Sequence, residues 1–245
     1  MEIRKDGRKS DELRPIRITR NISKYAIGSA IIEMGETRVL CCVTLEDKVP
    51  PFLQGTGNGW ITAEYGMLPV STPERNQRTS SQSGRSQEIR RIIGRSLRAA
   101  INLRHLGERT LVVDCDVIQA DGGTRTASIN GAFCALVDGL VQMKKRNLIT
   151  LPVIKDCIGA VSVGLVNGNN YLDLNYSEDS MAQVDFNVVM NSKGEFVEIQ
   201  GSAEGMTFSY NQLNQLIGLA GKGIQQIIRI EKEFLKNELQ ILSGY

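Results

Sequence analysis

The sequence has little of what metal, redox and membrane proteins usually require. Its only histidine is His105, and none of its five cysteines belongs to a C-x-x-C pair, so a zinc site is not expected. It has no apolar run of about 18 residues, and its charged start lacks the apolar core of a signal peptide. We therefore expect a protein that neither spans a membrane nor is secreted. The odd number of cysteines without ligand spacing predicts reduced, buried thiols in a cytoplasmic protein.

The most informative motif is a glycine pair, Gly122-Gly123, whose spacing fits neither a Walker loop nor a Rossmann dinucleotide turn. A β-branched run over 110–119 precedes it and predicts a strand, and residues 129–143 after it predict a helix. Backbone N–H groups at a helix start, with the guanidinium of Arg125 beside them, would form a site for phosphate or a similar anion. A glycine-rich turn with a surface arginine is the alternative explanation.

The basic residues are unevenly distributed, although Lys and Arg number only 29 against 27 Asp and Glu. Residues 1–14 are polar and basic and are predicted to form a partly ordered arm. A second group includes Arg91, Arg95 and Arg98, which helical spacing places on one face. Such local basic surfaces favour a polyanion such as RNA as the partner. A solvated face neutralised by nearby acidic residues is the alternative.

Apolar periodicity predicts strands and helices in alternation, and therefore an α+β or mixed α/β fold. The predicted strands cover 15–18, 28–34, 37–45, 60–67, 110–119, 184–190 and 196–200. The predicted helices cover 86–103, 129–143 and a segment from Ser209 that Gly221 and Gly223 interrupt. Residues 70–84 carry almost no apolar side chain and are predicted to be a mobile loop.

Residues 34–47 and 166–179 are weakly similar to each other. Each is predicted to be a hairpin turn followed by a strand that ends in Glu-Asp. The similarity predicts two related units, roughly residues 1–150 and 151–245, in a chain long enough for one domain or two fused halves.

Asp179 and Asp185 are the candidate catalytic carboxylates. On a straight strand they would lie about 20 Å apart, which is too far to act on one atom. The polar segment 176–180 predicts a turn that brings both to one end of the sheet. Two carboxylates near a phosphate can hold Mg²⁺, or one can donate a proton to a leaving oxygen. The alternative is that Asp179 caps a turn and that Asp185 is an exposed strand residue.

Segments along nearly the whole chain resemble the ribonuclease PH family of bacterial phosphorolytic 3′-exoribonucleases, which trim tRNA precursors. The matching segments, in chain order, are Asp6-Gly7-Arg8, Leu13-Arg14-Pro15-Ile16, 48–52, 59–69, Ser83-Gly84-Arg85, 92–99, 122–128, 178–180, 184–185 and 199–205. Many matches in the right order are more specific than any single motif.

The resemblance implies a role for each matching residue. It implies that the inorganic phosphate co-substrate is bound by Arg85, Gly123, Thr124 and Arg125. It also implies that Asp179 and Asp185 act as the acid or hold Mg²⁺, so that phosphate attacks the 3′-terminal phosphodiester and releases a nucleoside 5′-diphosphate.

The resemblance further implies a fold and an assembly. The fold would be α+β, a single ribonuclease PH domain over 1–245, built from a duplicated β-α unit related to the second domain of ribosomal protein S5, with mixed sheets packed against helices. The assembly would be a ring-shaped homo-hexamer made of dimers. Its partners would be tRNA precursors and other RNA 3′ ends, with no membrane involved.

The chain departs from the family pattern beside the candidate site. Val70 stands where the family commonly has arginine, and the loop that follows is shorter than usual, so RNA contacts there are expected to differ. The RNA-binding residues are predicted to be Arg75, Arg78 and Arg91. Asn175 stands where family members often have aspartate.

Two other functions compete with an exoribonuclease. One is a catalytically inactive RNA-binding ring subunit, and the other is an enzyme that acts on small phosphate compounds. An inactive subunit would be expected to have lost at least one of four residues. All four are present in this sequence, namely Arg85, Arg125, Asp179 and Asp185. A small substrate would not need so much basic surface, so the exoribonuclease is the favoured prediction.

Overall fold

This computed structural model describes residues 4–78 and 83–243. The first sheet contains β1 (Ile16–Arg20), β2 (Gly28–Met34), β3 (Thr37–Glu46), β4 (Trp60–Met67) and β5 (Thr110–Gln119), in the order β1-β2-β3-β5-β4. Neighbouring strands in it are antiparallel, except that β4 and β5 are parallel. The second sheet contains β6 (Ile158–Val166), β7 (Asn169–Leu172), β8 (Val184–Asn191) and β9 (Phe196–Ala203), in the antiparallel order β7-β6-β8-β9.

The described α-helices are α1 (Gly84–Ala100), α2 (Thr124–Lys145), α3 (Tyr176–Asp179), α4 (Tyr210–Phe234) and α5 (Lys236–Ser243). Short 3₁₀ turns cover Pro51–Leu53 and Leu103–Leu106. The predicted α+β architecture is confirmed. Its first sheet is mixed, whereas the second is antiparallel throughout.

The central element is α2, which lies between the two sheets. It packs against β2 and β3 on one side and against β6 on the other, and it is buried over most of its circumference. Close approach explains its small residues, since a Cβ at Gly131 would lie 2.6 Å from Cγ2 of Ile32. One continuous cluster of buried apolar side chains therefore joins the two halves of the chain.

The strand β6 is buried on both faces, which explains its nearly continuous apolar sequence. Its face at Gly159 lies under α4, where a Cβ would be 3.0 Å from Cγ1 of Ile228. Its opposite face, at Ser162, lies beside Gly123 at the start of α2. The second sheet thus presents one face to the glycine motif.

Two predicted helix boundaries were wrong. The helix α1 ends at Ala100 rather than at Leu103, because Ile101 is extended and pairs with Ile154. The helix α2 begins at Thr124, five positions before the predicted start, so the glycine motif is itself the helix start.

The predicted interruption of the C-terminal helix was also wrong, because α4 continues through both glycines. A Cβ at Gly223 would lie 2.6 Å from Cδ1 of Leu172, and Gly221 lies close to Met190. At Gly223 the missing side chain allows the helix to approach the second sheet, and tertiary contacts compensate for the low helix propensity of glycine.

The two hairpins β2-β3 and β6-β7 form where the repeat predicted them. The predicted strand after the second turn, which was to end in Glu178-Asp179, was wrong, however. The strand β7 ends at Leu172, and Asp173 adopts a left-handed φ of 54°. Glu178 and Asp179 therefore lie in the short helix α3 and not at a strand end. The division into two related halves stays a prediction.

The N-terminal segment is not the partly ordered basic arm that the sequence predicted. From Arg4 onward it packs against the second half of the chain, and Arg4, Arg8 and Arg14 are only 3%, 7% and 4% exposed. Salt bridges join these arginines to Asp173 and Glu178. These three cations are consequently not available to RNA.

The cysteines are all free, as predicted. Four of them, Cys41, Cys115, Cys134 and Cys157, are buried, whereas Cys42 is half-buried. Among the helices that the structure describes, none is long and apolar enough to cross a membrane.

Candidate active site

The glycine turn begins the candidate site. Gly122 and Gly123 have left-handed φ values of 73° and 63°, which a glycine adopts without steric cost. The hydroxyl of Thr37 holds the turn, because it donates to the carbonyl of Gly122 at 2.6 Å and accepts from the N–H of Asp121 at 2.9 Å. Gly123 is the N-cap of α2 and has no side chain to cap the helix. The first N–H groups of α2 are therefore left for an external anion.

The buried side chain of Tyr65 contacts the start of α2. Its hydroxyl lies 2.9 Å from Oγ1 of Thr124, the first residue of α2, and Tyr65 is only 3% exposed. Burial raises the pKa of Tyr65, and the hydrogen bond with Thr124 opposes that rise. The positive charges of Arg85 and Arg125 also lower the pKa of Tyr65.

The guanidinium of Arg125 is held by side chains from two other elements. Its Nη1 donates to Oε1 of Gln200 on β9, and the same nitrogen lies 3.9 Å from Oε1 of Glu88 on α1. The amide of Gln200 in turn donates to Glu88. This network joins α1, α2 and β9 around one candidate phosphate ligand.

Arg85 approaches the site from the start of α1. It is the second residue of that helix and is exposed, and the preceding Ser83 is the N-cap whose hydroxyl accepts from the N–H of Ser86 at 3.2 Å. The helix start thus presents Arg85 at the opening between α1 and α2.

Asp185 lies at the start of β8, on the face of the second sheet that is turned to α2. Its cross-strand partners are Gly164 and Ser202, and Oδ1 of Asp185 accepts from the hydroxyl of Ser202 at 3.1 Å. Because cross-strand partners share a face, these residues lie on the same side of the sheet as Ser162.

Asp179 ends α3 and is exposed to solvent at the site. Partial desolvation raises the pKa of Asp179 most, and the negative charge of Asp185 raises it further. Arg85, Arg125 and Arg14 lower the pKa of Asp179 in part. The structure therefore brings the two carboxylates and the two candidate phosphate arginines together, while their roles stay predictions.

The two carboxylates are also the predicted Mg²⁺ ligands. Within residues 4–78 and 83–243, no group of three or more His, Cys, Asp and Glu side chains is arranged to hold a metal ion. Mg²⁺ nevertheless commonly binds one or two carboxylates and takes its other ligands from water and substrate phosphate. The pair Asp179 and Asp185 fits that donor set.

The predicted RNA-binding residues are exposed. Arg75 and Arg78 lie in the irregular segment after β4, and residues 79–82 of the predicted loop lie outside the described residues. Arg91 lies on α1 between a cleft of about 290 Å³ beside Gln200 and a groove of about 440 Å³ that contains Trp60. Their contact with RNA stays a prediction.

The rest of the basic stripe on α1 is partly neutralised. Arg95 forms a salt bridge with Glu198. Arg98 donates to the carbonyl of Ile61 at 2.8 Å and lies 4.3 Å from the ring centre of Trp60. Arg95 therefore agrees with the alternative of a face neutralised by acidic residues, whereas Arg98 is held by a carbonyl and an aromatic ring.

Of the residues that depart from the family pattern, Asn175 has a structural explanation and Val70 has none. Asn175 is the N-cap of α3, where its side chain accepts from the N–H of Glu178 at 3.0 Å, and Glu178 accepts from the N–H of Asn175 at 3.1 Å. Asn175 therefore stabilises the helix that carries Asp179. Val70 is 80% exposed.

Sequence reasoning did not assign five side chains to the site, namely Thr37, Tyr65, Glu88, Gln200 and Ser202. A signal for the last two exists in β9, where polar residues alternate along one face opposite Asn187 and Asp185. No comparable pattern marks Tyr65, which lies on the buried face of β4 together with Ile61 and Ala63.

Together these residues define a class of protein. It is an α+β protein with a candidate anion site at a helix start, two arginines beside it and two carboxylates opposite. Such a site suits chemistry on phosphate groups, in which positioning and charge neutralisation matter more than a covalent nucleophile.

Comparison with known proteins identifies the family. Residues 12–142 match domain 1 of the 3′ exoribonuclease family of ribonuclease PH, and residues 156–223 match domain 2 of the same family. The chain therefore belongs to this family, as the resemblance of its motifs implied.

Solved structures share the fold at low sequence identity. Rrp46 from rice (Oryza sativa) has a TM-score of 0.75 at 21% identity, over 97% of this chain and 100% of that chain. The Archaeoglobus fulgidus exosome with RNA bound to the active site has a TM-score of 0.78 at 22% identity, over 94% and 92%. An archaeal exosome core has a TM-score of 0.75 at 22% identity, over 93% and 90%. These neighbours share the fold of this chain, and they do not single out bacterial ribonuclease PH.

Proposed function

We propose that the protein is a phosphate-dependent 3′-to-5′ exoribonuclease that trims tRNA 3′ ends and releases nucleoside 5′-diphosphates. The observation that carries the proposal is the grouping of Arg85 and Arg125 with Asp179 and Asp185 at the uncapped start of α2. Membership of the 3′ exoribonuclease family supports RNA as the substrate.

In the proposed reaction, inorganic phosphate binds to the N–H groups of α2 and to the two arginines. One of its oxygens attacks the phosphorus of the last phosphodiester, the bond from phosphorus to the 3′ oxygen of the shortened RNA breaks, and a diphosphate bond forms. Positioning and neutralisation of charge lower the barrier. The reaction should be readily reversible, because a phosphodiester is exchanged for a diphosphate.

The leaving 3′ oxygen must take up a proton. Asp179 is suited to donate it, because desolvation and the neighbouring Asp185 raise its pKa. In the alternative role, both carboxylates are ionised and would hold Mg²⁺, which would supply additional positive charge beside the phosphates.

We also propose a homo-hexameric ring made of dimers, in line with the resemblance and with the exosome cores that share the fold. Multi-angle light scattering should then give a mass near that of six chains of 27.0 kDa each. An active monomer would contradict the ring.

The activity is tested with a 3′-extended tRNA, the protein and Mg²⁺, with and without inorganic phosphate, followed by separation of the small products. We expect nucleoside diphosphates only when phosphate is present, and loss of product in Arg125→Ala and Asp185→Ala. Arg17→Ala is the matched control, because the Arg17 side chain is 80% exposed on β1 and outside the site.

Other products would overturn the proposal. Nucleoside monophosphates without phosphate would show a hydrolase. RNA binding with no product would show the inactive RNA-binding ring subunit, which is the alternative function.

A further inference from the structure

Three buried arginines of the N-terminal segment contact the segments that carry the candidate site residues. We call Arg4, Arg8 and Arg14 the N-terminal clamp. The sequence placed them in a basic arm suited to RNA, but their guanidinium groups bind carboxylates and carbonyls within residues 172–178 instead. Their position between the glycine turn and α3 indicates a role in the geometry of the site.

Arg14 contacts both the segment that leads to α3 and the residue before the glycine turn. Its Nε and Nη2 donate to the carboxylate of Asp173 at 3.0 and 2.7 Å, and its backbone N–H donates to the same group at 2.8 Å. Its Nη1 donates to the carbonyl of Asp121 at 2.6 Å, immediately before the glycine turn. One planar guanidinium therefore joins the segment that leads to α3 with the turn that begins α2.

Arg4 contacts the segment that leads to α3 and α3 itself. Its Nε donates to Oε1 of Glu178 at 2.7 Å and its Nη2 donates to Oε2. The same guanidinium donates to the carbonyls of Leu172 at 2.7 Å and Asp173 at 3.0 Å. Because Glu178 immediately precedes Asp179, this fork holds the residue next to the candidate carboxylate.

The glycine turn and the segment before α3 lie in close contact. A Cβ at Gly122 would lie 2.6 Å from the carbonyl oxygen of Leu174, and the N–H of Tyr176 donates to Oδ1 of Asp121 at 3.2 Å. Asp173 is fully buried with a left-handed φ of 54°. Such a conformation in a residue other than glycine persists only where its surroundings determine it, and the N-terminal clamp supplies those surroundings.

We propose that Arg4 and Arg14 are positioning residues that hold α3, with Asp179, against the glycine turn at the start of α2. This proposal rests on the function proposed above. Arg4 acts on the carboxylate side alone, whereas Arg14 acts on the carboxylate side and the phosphate side. The two arginines should therefore have different kinetic signatures.

The experiment compares Arg4→Lys, Arg14→Lys and the control Arg20→Lys in the full chain. Lysine keeps the charge and loses the planar fork. Arg20 is a suitable control because it donates to Glu238 at 2.7 Å, away from the site.

Steady-state phosphorolysis should separate the three variants. We expect Arg4→Lys to lower kcat by roughly 10- to 100-fold with an unchanged KM for phosphate, because small misplacements of reacting groups have effects of that size. We expect Arg14→Lys to lower kcat and also to raise the KM for phosphate, and Arg20→Lys to change neither. Equal kinetic constants in all three variants, with losses of thermal stability alone, would overturn the proposal.

A second measurement does not depend on activity. Hydrogen exchange of the amides in 174–180 should be faster in Arg4→Lys and Arg14→Lys than in Arg20→Lys. Unchanged exchange there would overturn the positioning role even if the enzyme is active. If the wild-type protein shows no phosphorolysis but exchange changes as expected, the proposed function fails while the N-terminal clamp stands.

Should Arg14→Lys fail to fold, Thr37→Val tests the phosphate side, because it removes the hydroxyl bound to the carbonyl of Gly122. We expect a raised KM for phosphate in that variant. An unchanged KM would contradict the requirement for a fixed glycine turn.

Discussion

The guanidinium of Arg125 on α2 donates a hydrogen bond to the side-chain carbonyl of Gln200, which lies on β9 of the second sheet. Gln200 therefore fixes the direction of a candidate phosphate ligand. We expect Gln200→Ala to raise the KM for phosphate severalfold, since Arg125 would keep its charge but lose its orientation. Initial rates of phosphorolysis at varied phosphate concentrations measure this change.

The matched control is Gln225→Ala. Gln225 is on α4 and donates one hydrogen bond, of 3.4 Å, to the carbonyl of Ser192, outside the site. If both glutamine variants have the wild-type KM, the orientation of Arg125 does not depend on Gln200.

The carboxylate pair predicts a titration shift. The negative charge of Asp185 contributes to the raised pKa of Asp179, so Asp185→Asn should lower the pKa of Asp179. Carboxyl ¹³C chemical shifts followed against pH measure it, with Asp179→Asn to assign the signal. Ser202→Ala leaves the charge of Asp185 in place and should not lower that pKa. An unchanged titration of Asp179 in Asp185→Asn would show that the two carboxylates are not coupled.

The glycine turn should not accept a side chain. Alanine at position 122 would require a left-handed φ of 73° and would place Cβ 2.6 Å from the carbonyl oxygen of Leu174. We expect Gly122→Ala to weaken phosphate binding at least tenfold, because the turn must move away from the segment before α3. Isothermal titration with inorganic phosphate measures the affinity.

Gly168→Ala separates the clash from backbone strain. Gly168 has a φ of 79°, and nothing lies within 4 Å of a Cβ built there. This variant should lose about 1–2 kcal/mol of stability from the left-handed conformation and keep wild-type phosphate affinity. Equal affinities in the two glycine variants would show that the contact with Leu174 is unimportant.

A buried carboxyl on α2 should make stability depend on pH. Burial raises the pKa of Asp138 to about 6, and the nearby charge of Arg20 only partly opposes this. The native state thus holds the proton more tightly than the unfolded chain, so the contribution of Asp138 to stability is complete below about pH 4 and is lost as the pH rises through 6. The loss should be about 3 kcal/mol.

Urea unfolding of the wild type and of Asp138→Asn between pH 4 and pH 7 measures that contribution. The free energy of unfolding of the wild type, relative to the variant, should fall across this range. Parallel curves would contradict a raised pKa. The quantity to compare is the change of the free energy of unfolding with pH and not its absolute value, because the variant also changes the contact with Arg20.

A second buried carboxyl is expected to destabilise the fold. Glu231 on α4 is 1% exposed, and neither of its carboxylate oxygens has a hydrogen-bond partner in the part of the chain that the structure describes. Burial raises the pKa of Glu231 well above the ordinary value. We expect Glu231→Met to raise the free energy of unfolding by about 1–3 kcal/mol at pH 7, because an unsatisfied polar group is removed. A lower midpoint in urea would contradict this.

Local pattern was sufficient for most of the first sheet. Alternation of apolar and polar residues and the turn at Gly35 determine β2 and β3, and the structure has them within one residue of the predicted bounds. The start of α2 could not be located in this way, because Thr124–Ser128 is mostly polar and, apart from Arg125, is buried through tertiary contact. Periodicity detects a helix face, and α2 has no single apolar face because both sheets cover it.

The candidate site shows the same limit. A turn near Asp179 was predictable from its polar neighbours, and the structure has α3 there. The partner of Arg4 was not predictable, because Glu178 is 174 positions away in sequence. An arginine-rich segment looks the same in the sequence whether its charges face RNA or buried carboxylates.

The pairing of Arg4 with Glu178 and of Arg14 with Asp173 has a consequence for how this protein can diverge. Losing one partner of a buried ion pair costs about 3–5 kcal/mol, because the other charge is left uncompensated. A substitution at either position should therefore persist through descent mainly together with a change at its partner. Correlated replacement of positions 4 and 178, and of 14 and 173, is expected across lineages that share this fold.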